Sequence, residues 1–186
     1  MAALLLSGVT HELIEAAELS WALLRIEGAK RINAAGGRVP EHWGWNWIRK
    51  SNYVGDLLAY RYFGIECSGE MQGLIQVNTT NAVSRLAEHR GKPLVYVDYI
   101  EVAPWNAKVL TDSPRFGAVG SRLIEAAVGY SKAEGFAGRV GLHSLPQSED
   151  FYERVCRMTR GEVDPKCEGL RWFELTASGA TEFLGE

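Results

Sequence analysis

Cysteine is scarce in this chain. Cys67, Cys156 and Cys167 lie far apart and form no CxxC pair. That odd, scattered set offers neither a disulfide framework nor a zinc ligand set, and it fits three inert, mostly buried thiols in a reducing, cytoplasmic compartment. His11, His42 and His89 have no metal-ligand spacing with one another, so no metal is expected. Charge of one sign is also missing. The 20 Lys and Arg stand against 23 Asp and Glu, a formal net charge of -3 without a long run of either sign. A phosphate-backbone binder presents a basic face, so nucleic acid is not an expected partner. Long apolar runs are absent as well: Leu4-Leu5-Leu6 near the start has no basic region before it, and the stretch Met1 to Gly8 is too short for a signal peptide or a membrane span. Neither GxxxxGK[ST] nor GxGxxG with a following acidic residue occurs, which excludes the common nucleotide-phosphate loops.

What is present is an ordinary globular composition over 186 residues, 46% hydrophobic and 23% charged. A chain of this length removes roughly 70% of its unfolded surface from water and can build one sizeable core. Leu13, Ile14, Ala17, Trp21, Leu24 and Ala29 recur at helical steps, which predicts a helix from Thr10 as N-cap to a stop at Gly36-Gly37. A second helical stretch, Glu41 to Lys50, carries Trp43, Trp45 and Trp47, read as core anchors or as the lining of a ligand site or partner surface. Leu57 to Cys67 and Met71 to Val77 read as a hairpin around Ser68-Gly69-Glu70, and Thr79 to Gly91 as helix or loop. Pro93 to Ala103 is the strongest strand pattern. A helix from Ala118 to Gly135, a strand at Gly138 to Ser144, a helix at about Ser148 to Arg157 and a strand at Leu170 to Leu175 follow. This order predicts an α/β (α+β layered) structure, one domain over 1–186 with N-terminal helices at about 10–51 and a core at about 57–175.

The chemistry concentrates where strand, turn and helix meet. Arg115-Phe116-Gly117-Ala118-Val119-Gly120 runs straight into a helix. Its small residues let a ligand approach the backbone, and the first helical turn offers unpaired N–H groups to a phosphate or pyrophosphate. This segment resembles the pyrophosphate motif [QR]-x-x-[GA]-x-[GA] of the GNAT acyltransferase superfamily, with Arg115, Ala118 and Gly120 at its specified places. Ile100-Glu101-Val102-Ala103-Pro104 matches the family's strand ending, and Phe151-Tyr152-Glu153 its later helix start.

The resemblance implies a mixed, mostly antiparallel central sheet flanked by helices, and acetyl-CoA or another acyl-CoA as co-substrate. It further implies a pantetheine arm along the strand edge at Ile100, Glu101 and Val102, and a pyrophosphate on the amides of Phe116, Gly117, Ala118, Val119 and Gly120. The acceptor would be an amine of a small molecule or a protein. By the same likeness Tyr152 protonates the leaving sulfur, Asp98 and Tyr96 stand where family bases lie, and a backbone N–H at Val102 or its neighbour meets the oxyanion. Asp98 is a base or water orienter in one reading, and a loop cap or cation binder in the other. Simple alternation puts Tyr96, Asp98, Ile100 and Val102 on one strand face, and Val97, Tyr99, Glu101 and Ala103 on the other. Glu41, Asp98, Glu101 and Asp112 are acids that could receive a cationic amine or simply be solvated.

Two departures from the family stand out. Trp105 to Pro114 replaces a short connection, as a lid or as a structural insertion. Leu145 stands where many members have Asn, leaving Ser144 as a stand-in contact. His143-Ser144 is not expected to act as a nucleophilic pair, because strand neighbours face opposite ways. A catalytically silent acyl-CoA-binding or interaction module on the same fold is the alternative to an N-acetyltransferase. No membrane association is expected, and a homodimer is left open.

Overall fold

The computed structural model describes residues 3–111 and 113–186. Seven strands form one mixed sheet in the order β1-β2-β3-β4-β5-β7-β6, comprising β1 Leu4–Ser7, β2 Tyr60–Cys67, β3 Glu70–Asn78, β4 Val95–Val102, β5 Val140–Ser144, β6 Thr159–Asp164 and β7 Leu170–Leu175. All neighbours run antiparallel except β4 and β5, which are parallel. The helices are α1 His11–Ala34, α2 Trp47–Val54, α3 Val119–Ala133 and α4 Ala177–Leu184. No helix among the described residues is long and apolar enough to cross a membrane.

The sheet buries both faces, which is why β3 reads as a nearly continuous buried run instead of an alternation. One face carries α3 and α4 over Ile75, Val77, Val95, Val97, Leu142 and Phe173. The other carries α1, whose buried Ile14, Ala17 and Trp21 pack with Leu74, Trp47 and Ala103. At Gly73 a methyl group would come within 2.7 Å of Val119 Cγ1, so glycine there lets the start of α3 lie directly on β3.

Several expectations are refined. The helix predicted at Glu41 to Lys50 divides into a 3₁₀ turn at Glu41–Gly44 and the start of α2, whose N-cap Asn46 accepts from Arg49 N–H at 2.8 Å. Thr79 to Gly91 is loop with one 3₁₀ turn, Ala87–His89. The helix predicted from Ser148 contains a π-helical turn, Phe151–Val155, closed by Cys156 N–H to Phe151 O at 3.1 Å. Strands β1 and β6 and helix α4 lie outside the predicted elements.

The simple alternation along β4 is incorrect. Gln76 pairs with Tyr99 and Val77 with Val97, which leaves Asp98 as the extra residue of a β-bulge. Side-chain direction therefore inverts there. Val95 and Val97 belong to the α3 face together with Ile100 and Val102. Tyr99 and Ala103 pack on the α1 side, where Glu101 meets Arg25 of α1.

Candidate active site

Strands β4 and β5 pair over only three positions, Val95, Val97 and the intervening Tyr96 against Val140, Leu142 and Gly141. Beyond Val97 they diverge, opening a cleft of about 1120 Å³. Ala103 N–H donates to Gln72 O at 2.8 Å on the β3 side, so alternation turns the N–H groups of Ile100 and Val102 toward the opposite, open edge. The backbone of β4 from Asp98 onward thus lines the cleft as an unpaired strand edge.

Across the cleft lies the loop into α3. Ala118, the N-cap, has φ +60°, a left-handed conformation that costs a non-glycine residue roughly 1–2 kcal/mol. It turns the chain so that the N–H groups of Gly117, Ala118, Val119, Gly120 and Ser121 find no internal acceptor among the described residues. The Phe116 N–H is engaged: it donates to Asn106 Oδ1 at 2.9 Å. Four of the five expected phosphate amides are therefore free. The Arg115 guanidinium turns to Glu70 at 3.4 Å and lies 5.0 Å over the Trp105 ring. Trp105 Nε1 donates to Gln72 Oε1 at 2.7 Å and Asn106 Nδ2 to the same oxygen at 3.0 Å, which clamps the start of the Trp105 loop to β3. That part of the insertion is structural. Gln72 escapes sequence reasoning because it occupies a second bulge, opposite Ile65 and Glu66, where strand parity fails.

On the α1 and α2 side, Asp98 accepts from Asn78 Nδ2 at 2.6 Å. Burial pushes its carboxyl up to about 6, against the pull of the Asn78 and Asn81 bonds and of the Lys50 charge. Lys50 Nζ sits 3.1 Å from the Tyr99 ring centroid and 4.7 Å from that of Trp45, and burial brings its ammonium down to about 8. Glu101 lines the cleft through its backbone, because its carboxylate is turned inward. Arg25 Nη1 reaches both Glu101 oxygens at 3.1 Å, Arg25 also binds Glu18, and Trp47 Nε1 donates to Glu101 Oε2 at 2.7 Å. Burial still holds Glu101 up at about 7. The tryptophan cluster splits accordingly: Trp43 and Trp47 are buried core, while Trp45 lines the cleft. Of the acids read as candidate amine receptors, Asp98 is the one that lines the cleft with its carboxylate held by amide donors and not by an ion pair. Glu41 pairs with Arg38, Glu101 is committed to Arg25, and Asp112 lies outside the described residues.

Tyr152 enters from the far wall on the π-helical turn. It is 6% exposed, lies against Phe151 and Phe173, and is held above the ordinary phenol value by burial. Ser144 is buried with its hydroxyl donating to Leu145 O at 2.8 Å, so Leu145 faces the cleft in its place. Tyr96 has partners that sequence reading did not supply. Arg85 donates to Asp164 Oδ2 at 2.7 Å and holds that carboxyl down at about 2. The ionised Asp164 takes the Nε2–H of His143 at 3.3 Å, which leaves Nδ1 to accept from the Tyr96 hydroxyl at 2.8 Å. Reactive atoms of His143, Asp164 and Cys167 lie within 4.8 Å of one another, and the Arg85 cation on Asp164 opposes a metal ion there.

No protein-family model and no curated protein matches the sequence. Solved structures do match in fold. PaiA N-acetyltransferase from Thermoplasma acidophilum, in complex with coenzyme A, is similar at TM-score 0.54 and 14% identity over 94% of this chain and 98% of that one. FeeM, an N-acyl amino acid synthase from uncultured soil microbes, gives 0.56 and 11% over 95% and 91%. A Desulfovibrio desulfuricans protein assigned to the GNAT family of acetyltransferases gives 0.55 and 13% over 95% and 99%. The chain has the GNAT fold.

Proposed function

We propose that the protein is a member of the GNAT superfamily and an acyl-CoA-dependent N-acyltransferase, transferring acetyl to an amine of a small molecule or protein by direct attack. The observation that carries this reading is the pairing of two backbone features across one cleft: an open β4 edge and a helix start with free amides. An extended amide-bearing arm suits the first, and a pyrophosphate suits the second. The amides of Gly117 to Gly120 would hold the pyrophosphate, and the β4 edge at Ile100 and Val102 the pantetheine. The left-handed turn at Ala118 and the open space beside Gly117 leave room for such a ligand.

The thioester of this co-substrate supplies an activated acyl carbon. The chain's own groups supply the rest. Asp98, ionised above about pH 6, takes the proton of an incoming ammonium directly or through water. An outward N–H of Ile100 or Val102 is a preorganised donor to the oxyanion. Tyr152, kept protonated by burial, gives its proton to the departing thiolate. Tyr96, backed by His143 and Asp164, orders the polar wall beside Asp98.

Incubation with acetyl-CoA and a panel of primary amines, followed by free-thiol release, tests the reading. Thiol release above the no-amine rate supports an enzyme. Coenzyme A binding with no turnover across a broad panel would instead support a silent acyl-CoA-binding module.

A further inference from the structure

We propose that Lys50 is a self-acylation site, its amine taking the acyl group from acyl-CoA held in the same cleft. The inference rests on the acyl-CoA reading above and extends it to a covalent modification of the chain itself.

Lys50 differs from the other lysines in its setting. Lys30 and Lys92 are exposed outside the cleft, Lys108 and Lys166 line it but are exposed, and Lys132 pairs with Glu186. Lys50 is half-buried, makes no ion pair within 4 Å among the described residues, and lies over the faces of Tyr99 and Trp45. Tyr99 is the residue between Asp98 at the bulge and Ile100 at the open edge. The lysine is therefore presented where β4 parts from β5, the place an acceptor amine must reach. Glu101 and then Asp98 are the carboxylates near enough for their charges to act on the amine, against the effect of burial.

The chemistry of the amine agrees with its position. Its lowered pKa raises the unprotonated fraction at neutral pH by roughly two orders of magnitude over an ordinary lysine, and only that form is nucleophilic. The Nζ lone pair attacks the thioester carbonyl carbon, and the C–S bond breaks as the C–N bond forms. The proton lost from nitrogen passes to Asp98 or water, and the thiolate of coenzyme A is protonated. One amide and one thiol result. The amide product removes a partly desolvated charge from between aromatic rings, a further driving force toward it. It also fills the acceptor side of the cleft, so acylated protein turns over external amines more slowly.

The test is intact-mass and peptide mass spectrometry of the full chain after incubation with acetyl-CoA, with coenzyme A binding measured separately by calorimetry. The expected result is one acetyl group on the Lys50 peptide, at a rate per molecule independent of protein concentration. That rate should exceed labelling of the exposed Lys30 and Lys92 by about tenfold or more, in keeping with the larger unprotonated fraction. Lys50→Arg should lose the label, and Asp98→Asn should slow it. Labelling spread over the exposed lysines at equal or greater rates, with coenzyme A bound, overturns the inference alone. Absence of coenzyme A binding removes the acyl-CoA reading and this inference with it.

Discussion

Replacing Asp98 by asparagine should move stability and activity in opposite directions. Burial holds the carboxyl at about 6 against an ordinary 3.8. Below about pH 3 the group is protonated in folded and unfolded chains alike. As pH rises toward 6, the unfolded chain releases its proton while the folded chain keeps it, so stability falls; above 6 the folded protein bears the whole cost of a buried charge. That cost is about 3 kcal/mol. Asparagine cannot ionise, yet its amide oxygen can still accept from Asn78 Nδ2, the 2.6 Å contact now made by Asp98. Asp98→Asn should therefore exceed the parent by only about 0.5 kcal/mol at pH 4 and by up to about 3 kcal/mol at pH 8, the latter a rise of roughly 6–12 °C in Tm for a chain of this size. The weakened Asn81 bond makes this figure a ceiling. Acyl transfer should fall by about 10²- to 10⁴-fold, the usual contribution of a positioned base. Calorimetric melts at pH 4, 6 and 8 beside thiol-release kinetics read both effects. A variant equally or less stable than the parent at pH 8 would refute the burial account. Turnover within about threefold of the parent would remove Asp98 from proton transfer.

Two further predictions concern Tyr152 and Arg25. Tyr152→Phe should lower turnover at least about tenfold with little change in coenzyme A affinity by calorimetry, because the ring packing is kept and only the proton donor is lost; unchanged turnover would take Tyr152 out of the mechanism. Arg25→Met strands the buried Glu18 and Glu101 carboxylates without a countercharge and should cost about 3–5 kcal/mol in urea unfolding at pH 8. Part of that loss should return at pH 5.5, where Glu101, already held up at about 7, takes a proton in the folded state, and part should return at pH 8 when Glu101→Gln is added. A loss independent of pH would mean that packing, not charge, is what Arg25 supplies.

The parts of the site legible in the sequence are those in which backbone chemistry demands particular letters within a short window. Ile100 to Pro104, Arg115 to Gly120 and Phe151-Tyr152 all fall on the elements expected of them, since a strand end, a helix start with small residues and a second helix start are local patterns. Edge strands were not legible. β6 is Thr-Arg-Gly-Glu-Val-Asp, largely exposed, and carries no alternation to detect, while β1 offers only three leucines. Contacts between distant positions were equally hidden: Arg25 meets Glu101 across 76 residues, and the Lys50 cage requires α2 to lie beside β4. The deepest miss is the parity of β4, because a bulge adds a residue without changing any residue type. That single insertion organises the site. Upstream of it Val95 and Val97 face α3, and downstream Ile100 and Val102 keep that face only because Asp98 absorbs one step. Without the bulge, Tyr99 and Glu101 would turn toward α3, Arg25 and Lys50 would lose their partners, and Ile100 and Val102 would leave the α3 core for the α1 side. The same bulge that keeps both apolar cores continuous therefore leaves Asp98 unpaired in the ladder at the mouth of the cleft, which is the setting its proposed role as a base requires.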